Sequence, residues 1–348
     1  MKLKEISSEI GMAECLDPRF YVSGEAFEAS KARIFRPSWQ FAGVEQRGLR
    51  HTPVTILEDF LDARLILCST DATAFSNVCT HRGKILLSES NDNETIRCGY
   101  HGRTFDCGGR FRAMPGFEGV VGFPDERDSL ARFSRADAGP LAFVRLASGG
   151  EFEEYFGSID PRLWDFVFGS GFKFDEKVYQ LDANWALYCE NYLEGFHIPF
   201  VHKTLAAELD LASYKTELFR YSSLQKAAPR NSGEPSILGY SALYYFVFPN
   251  LMLNFYPWGL SMNVVEPVDF NRTRVRYLTF VVNRELEGAG AGGDLETVEL
   301  EDQAVVESVQ KGIESGQYER GRYSPEHETG THHFHRLIVE FMNRRTES

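Results

Sequence analysis

The chain has 348 residues, 43% of them hydrophobic and 25% charged, enough to bury a core of ordinary size and to build two soluble domains. Its net charge of −13 argues against nucleic-acid binding, which needs lysines and arginines facing phosphates, and suits a cationic substrate or a basic patch on a redox partner. No run reaches the roughly 18 apolar residues of a membrane span, and Met1-Lys2-Leu3-Lys4-Glu5 opens without a signal-peptide core, so a cytoplasmic chain without membrane contact is expected.

Residues 1–37 are polar with scattered apolar positions and are expected to pack on the C-terminal domain. A strand-rich domain over 38–148 follows, with strands expected at Thr55-Ile56-Leu57, Leu65-Ile66-Leu67-Cys68, Ala74–Val78, Glu94–Arg97 and Leu141–Val144. From 149 to 348 the pattern becomes α+β, helical or mixed over Phe152–Trp164 and Val178–Val201, with strands at Tyr244–Phe248, Leu251–Phe255 and Arg274–Val282. The glycine-rich stretch 287–293 reads as a flexible loop leading into a long helix from about Leu295 to Glu314. The expected fold class is therefore α+β, an all-β N-terminal half followed by an α+β C-terminal half with an antiparallel sheet.

Two loops in the first domain carry metal-ligand chemistry. Cys79-Thr80-His81 and Cys98-Gly99-Tyr100-His101 read as Cys-x-His-x16-Cys-x2-His, one thiolate and one imidazole in each loop. A Rieske [2Fe-2S] centre needs that set, two cysteines on one iron and two histidines on the other. Structural zinc also takes Cys2His2 sets, but usually groups like with like. Gly83, Gly99, Gly102, Gly108 and Gly109 beside the ligands let backbone amides approach the sulfides. The remaining cysteines, Cys15, Cys68, Cys107 and Cys189, read as reduced, small apolar residues, with Cys107 near enough to the second loop to be a cluster neighbour.

The second constellation follows Asn184-Trp185, where Glu194, His197 and His202 are spaced Glu-x2-His-x4-His. On a continuous helix Glu194 and His197 would share a face while His202 pointed away; Pro199 is expected to bend the chain and return His202 toward His197. Two histidines with one carboxylate form the facial triad of non-haem Fe(II) oxygenases, which leaves positions open for O2 and substrate. Glu299, Glu301 and Asp302 are the candidates for the third ligand. Asp302 falls in the middle of an apolar stripe of Val298, Val305, Val309 and Ile313, with Glu301 near its edge, so Asp302 is preferred; a buried ion pair with an arginine is the alternative. Glu194 is read as an acceptor that does not bind iron and instead links a cluster histidine to an iron histidine, and Glu190 as ordinary surface.

These residues together resemble the α subunit of Rieske non-haem iron ring-hydroxylating oxygenases, most of all the choline monooxygenase branch and its carnitine and betaine relatives. Further cues are Glu190–Glu194, Phe248-Pro249-Asn250, Glu301-Asp302 leading into Glu307–Gly312, Gly321–Ser324 and His332–His335. The resemblance implies a helix-grip (START-like) catalytic domain over 149–348 and a Rieske domain over 38–148. It further implies one [2Fe-2S] cluster on Cys79, His81, Cys98 and His101 and one mononuclear Fe(II) on His197, His202 and Asp302. In such a homotrimer the cluster of one subunit feeds the iron of its neighbour across an acidic bridge, here Glu194, with His101 facing it.

The chain departs from the family at the second loop, where Arg103 follows Gly102 in place of the usual Trp, and at the bridge, where Glu replaces the more frequent Asp. The glycines of 288–293 read as a flexible loop rather than a dinucleotide-binding turn, and there is no flavin signature, so NAD(P)H is expected to be used by a separate ferredoxin or flavin-dependent reductase. The resemblance implies that a small substrate is oxidised with O2, by hydroxylation or N-dealkylation. A quaternary ammonium compound would be held by aromatic faces such as those of Tyr244–Phe248 and Asn254–Trp258, which equally suit an ordinary core. An aromatic-ring dioxygenase acting on an aromatic acid, and a Rieske electron carrier without catalytic iron, are the two alternatives.

Overall fold

The computed structural model describes residues 2–45, 48–70, 72–231, 233–287 and 295–344. Arg36–Gly149 form one compact unit, and the described residues up to Phe35 and from Gly150 onward form the other.

The first unit is all-β. Its six-stranded antiparallel sheet runs, in spatial order, Gln40–Val44, Leu141–Arg145, Arg132–Ala138, Thr73–Ser76, Ala63–Cys68 and His51–Ile56. A separate three-stranded meander consists of Thr95–Arg97, Thr104–Asp106 and Phe111–Ala113. Ile66, Cys68, Phe75, Ile96, Phe105 and Leu130 are buried together between these layers and include the two ligand cysteines in their cluster. The strand expected to reach Leu57 ends at Ile56, because Leu57 takes a positive φ of 48° that a strand cannot continue.

In the second unit a seven-stranded antiparallel sheet carries the helices. Its order is Lys173–Leu181, Arg272–Val281, Gly259–Asp269, Leu251–Tyr256, Ala242–Val247, Ser222–Ala227 and Lys215–Leu218. Part of the segment expected to be helical, from Val178, is the end of an edge strand, and the 11-residue strand Gly259–Asp269 adds to those read from the sequence. Gly259 begins that strand at φ +150°, where a Cβ would sit 2.0 Å from the Phe280 carbonyl oxygen, so only glycine permits the pairing with Val281.

Three helices matter for the site. Trp185–Tyr192 is capped by Asn184, whose side chain accepts from the Ala186 amide at 3.0 Å while its Nδ2 donates to the carbonyls of Phe270 and Tyr21. Trp185 behind it is enclosed by Phe20, Phe35 and Phe334, which ties the N-terminal segment to this unit. The long helix spans Leu295–Glu314, as expected, and ends where Gly316 takes the left-handed conformation and its amide bonds the Ile313 carbonyl. The loop expected at 287–293 lies, from Gly288 on, outside the described residues.

The helix Thr329–Asn343 supplies a pH-sensitive residue. Burial pushes the His333 imidazole down to about 4 and keeps it neutral in the fold, with Nε2 unpartnered. The unfolded chain takes up that proton near pH 6.5, so the neutral form's advantage is complete above about 6.5 and lost as pH falls toward 4. Urea unfolding should show roughly 2 kcal/mol lost at this residue between pH 7 and 5, and His333→Leu should remove that part of the slope.

Candidate cluster and iron sites

The Cys-His loops share one backbone design. In each, the cysteine amide donates to the carbonyl five residues on, Cys79 to Lys84 at 2.8 Å and Cys98 to Arg103 at 2.7 Å. The glycine four residues on donates back to the cysteine carbonyl, Gly83 at 2.9 Å and Gly102 at 3.0 Å, with φ of 71° and 75°. A side chain at either position would be strained, which is the physical reason for glycine there. The closed loops bury Cys79 and Cys98, at 2% and 3% exposure, with their thiols in contact, and bring the His81 and His101 rings to 4.7 Å. Thiols inward and imidazoles outward suit a [2Fe-2S] cluster with its two histidine ligands toward solvent. Cys107 offers its carbonyl to His51 and Cys68, and none of the six cysteines is joined in a disulfide.

Arg103 is buried, at 2% exposure. It pairs with Asp128, and its guanidinium lies 5.0 and 5.5 Å from the ring centres of Phe111 and Phe123. The residue that stands in for the family Trp therefore points into the unit.

The iron-site residues come from a chain break and a helix. The helix Trp185–Tyr192 stops at Leu193, and Glu194 caps the next turn, its Oε2 accepting from the amides of Phe196 and His197. Pro199 lies in the first turn of a second short helix, Ile198–Val201, where no amide donor is needed, so the expected proline bend is replaced by a bend at 193–197. His202 follows at φ −107°, ψ 77°, which turns its side chain out of the helical path.

His197, His202 and Asp302 come together, with one ligand atom of each within 4.8 Å of the others. Asp302 Oδ1 is 2.9 Å from His202 Nε2 and 3.6 Å from His197 Nε2. Each remaining ring nitrogen meets its own carboxylate, His197 Nδ1 on Glu194 Oε1 at 2.6 Å and His202 Nδ1 on Glu301 Oε2 at 2.7 Å. Carboxylates on both Nδ1 atoms orient the imidazoles with Nε2 toward the metal position, so the donor set fits a divalent iron with open coordination sites.

The inward face of Leu295–Glu314 differs from the expected stripe. Glu299, Val306, Gln310 and Ile313 are its buried residues, and Val309 is 43% exposed. Asp302 lies on that inward face beside Glu299 and Val306, a half-polar face that apolar periodicity locates only approximately. Glu299 takes hydrogen bonds from the Tyr188 and Tyr277 hydroxyls and from Gln303 at 2.7 Å. Burial pushes its carboxyl up from the ordinary value, and these hydrogen bonds oppose it. Glu190, read as surface, instead meets Tyr21 Oη at 2.7 Å and His335 Nε2 at 2.9 Å.

A cavity of about 110 Å³ opens beside the triad. Tyr188, Tyr192, Tyr214, Tyr244, Tyr256 and Tyr277 line it, with Gln225, Asn254, Ser261 and Asn263 projecting from the sheet. Of the aromatic strands anticipated for a cage, Tyr244 and Tyr256 reach the cavity, whereas Phe248 packs on Phe334 and Phe341. Ser261 and Asn263 were missed by sequence reasoning, although their alternation with Leu260, Met262 and Val264 was a usable signal: polar residues every second position facing a cavity.

The comparisons with known proteins agree with both centres. Residues 46–124 match the Rieske [2Fe-2S] domain model and residues 172–344 match the ring hydroxylating alpha subunit catalytic domain model. The chain is 31% identical to the chloroplastic choline monooxygenase of Arabidopsis thaliana, over 92% of this chain and 80% of that protein. It is 26% identical to the carnitine monooxygenase oxygenase subunit of Escherichia coli K12, over 92% of each. The fold matches a quaternary ammonium Rieske monooxygenase, CntA, crystallised with L-carnitine, at a TM-score of 0.78 and 24% identity over 99% of this chain and all of the other. It also matches a Rhodococcus naphthalene 1,2-dioxygenase at 0.71, with 17% identity over 94% of each chain.

A cluster domain followed by an iron-binding helix-and-sheet domain defines a terminal oxygenase. The chain belongs to the Rieske ring-hydroxylating oxygenase α subunits, with a [2Fe-2S] domain and a catalytic domain that binds mononuclear iron.

Two substitutions separate the contributions of the surrounding residues. Glu301→Gln should leave the fold intact and lower iron retention about 10- to 100-fold, read as metal content after dialysis against a mild chelator. Arg103→Ala should leave Asp128 without its cation and destabilise the Rieske unit by roughly 3 kcal/mol, read as early loss of the cluster absorbance on heating.

Proposed function

We propose that this chain is the oxygenase component of a system in which a separate reductase supplies the electrons and a small quaternary ammonium compound is oxidised with O2. The reading rests on one observation above all: the cavity beside the triad is lined by six tyrosines and three carboxylates, Glu194, Glu299 and Asp302, a composition that attracts a cation without a hydrogen-bond donor. The choline and carnitine monooxygenase names of the relatives point the same way.

In this proposal His197, His202 and Asp302 hold the mononuclear iron, and Cys79, His81, Cys98 and His101 hold the cluster. Iron bound there supplies O2 activation, and the cluster supplies the electrons. The protein's own part is to fix positions and charge. Glu194 Oε1 accepts from His197 Nδ1 at 2.6 Å and Glu301 Oε2 from His202 Nδ1 at 2.7 Å, so neither ring can rotate its Nε2 away. Tyr188 and Tyr277 are held by Glu299, which fixes one wall of the cavity. Glu194 serves as the acidic bridge to a neighbouring subunit's His101 in a homotrimer, in line with the inter-subunit electron transfer reported for the CntA enzyme. A separate ferredoxin or flavin-dependent reductase draws on NAD(P)H. Six cysteines without a disulfide are compatible with a reducing, cytoplasmic setting.

Reconstitution with a surrogate reductase tests the reading. About three irons per chain, with aldehyde or dealkylated amine released from quaternary ammonium compounds, is the expected result. A cis-diol from an arene with no turnover of any ammonium compound would overturn it. Glu194→Ala should keep the cluster loaded, weaken iron retention as Glu301→Gln does, and still lower turnover about 10- to 100-fold when the mononuclear site is refilled with excess Fe(II), whereas Glu301→Gln should recover more of its turnover on the same refilling.

A further inference from the structure

We propose that the substrate is a quaternary ammonium alcohol and that the site discriminates against ammonium compounds bearing a carboxylate, an inference that rests on the quaternary ammonium reading above. The first observation is the charge around the cavity. Glu194, Glu299 and Asp302 line it, and no lysine or arginine does so among the described residues. The seven residues between Glu287 and Leu295 contribute glycines, alanines and one aspartate to the sequence there, and no basic residue. Of the three arginines on the strand Arg272–Val281, Arg274 is engaged by Glu266 and Arg276 by Glu176, each at 2.7 Å, while Arg272 is exposed at the start of the strand and does not line the cavity.

A ferrous ion would add two positive charges, against four carboxylates at or behind the triad, Glu194, Glu299 and Asp302 on the cavity and Glu301 on His202 Nδ1, so acidic groups dominate the surroundings. An ammonium group suits them. A zwitterion would bring a further carboxylate into the same negative surroundings, stripped of water and with no lysine or arginine among the lining residues to meet it, which is the costly case for a buried charge.

The second observation concerns the uncharged polar groups. Across the sheet, Tyr244 pairs with Asn254 and Asn254 with Ser261, which sets these side chains in one row along the cavity. Ser261 is 1% exposed and its Oγ has no hydrogen-bond partner. Buried hydroxyls are normally partnered, and a substrate hydroxyl supplies what is missing while needing no counter-charge. Size agrees, since about 110 Å³ is well below the roughly 300–1,000 Å³ of sites for drug-sized ligands.

Calorimetric titration of the holoenzyme with choline, tetramethylammonium, glycine betaine and carnitine tests this. Choline should bind at least about tenfold more tightly than glycine betaine or carnitine. Ser261→Ala should weaken choline about three- to tenfold and leave tetramethylammonium unchanged, a difference that mere damage to the fold would not produce. Asn263→Arg should shift the preference toward the two zwitterions. Glycine betaine or carnitine binding as tightly as choline would overturn the alcohol assignment and leave the quaternary ammonium reading standing. Equal losses of choline and tetramethylammonium on Ser261→Ala would overturn the hydroxyl contact, and binding of none of the four would overturn the quaternary ammonium reading itself.

Discussion

The catalytic unit depends on one convergence: Asp302 Oδ1 meets the Nε2 atoms of both His197 and His202, across a sequence separation of 100 residues in the second case. Three polar groups are brought to one point, and each must be held there against rotation. The two Nδ1 atoms are fixed by Glu194 and Glu301, so five side chains form a single cradle. The long helix contributes Asp302 and Glu301, one to the metal position and the other to the back of a ligand, which adjacent residues on a helix can do because they diverge by about 100°. The bend at 193–197 supplies the rest.

The two centres handle burial in opposite ways. At the cluster loops the cysteines are inside, and His101 is exposed. At the iron site His202 is 1% exposed and the nearby polar groups line a recessed cavity. An electron entry point must be approachable by another protein, whereas oxygen chemistry benefits from a compartment that excludes bulk water. Arg103 belongs to the first arrangement: its charge is turned inward against Asp128 and two rings, so it braces the loop that presents His101.

Much of this was legible in the chain. The ligand residues stood out because metal chemistry restricts residue type and spacing tightly, and the long helix because its length and its glycine-bounded ends are local signals. What was not legible depended on which surface each element faces. Val309 looked like part of an apolar stripe, yet the helix turns Glu299 and Gln310 inward, since tyrosines and Asn184 wait there to receive them. Glu190 looked like surface until Tyr21 and His335, 169 and 145 positions away, closed over it. Pro199 was read as a break, but at the head of a helix proline costs nothing, and the break lay just before it.

Asn184 also bears on how the molecule is assembled in time. Its hydrogen bonds reach Tyr21, Phe270 and Gln310, at sequence separations of 163, 86 and 126. Contacts of that range form only after long loops have closed, at an entropic cost that local helices and hairpins do not meet. The helix leading to Glu194 and His197 is anchored at this residue, so the placing of the iron-site residues depends on contacts that only long loop closures can make, and a substitution at Asn184 would reach the iron site without touching any ligand.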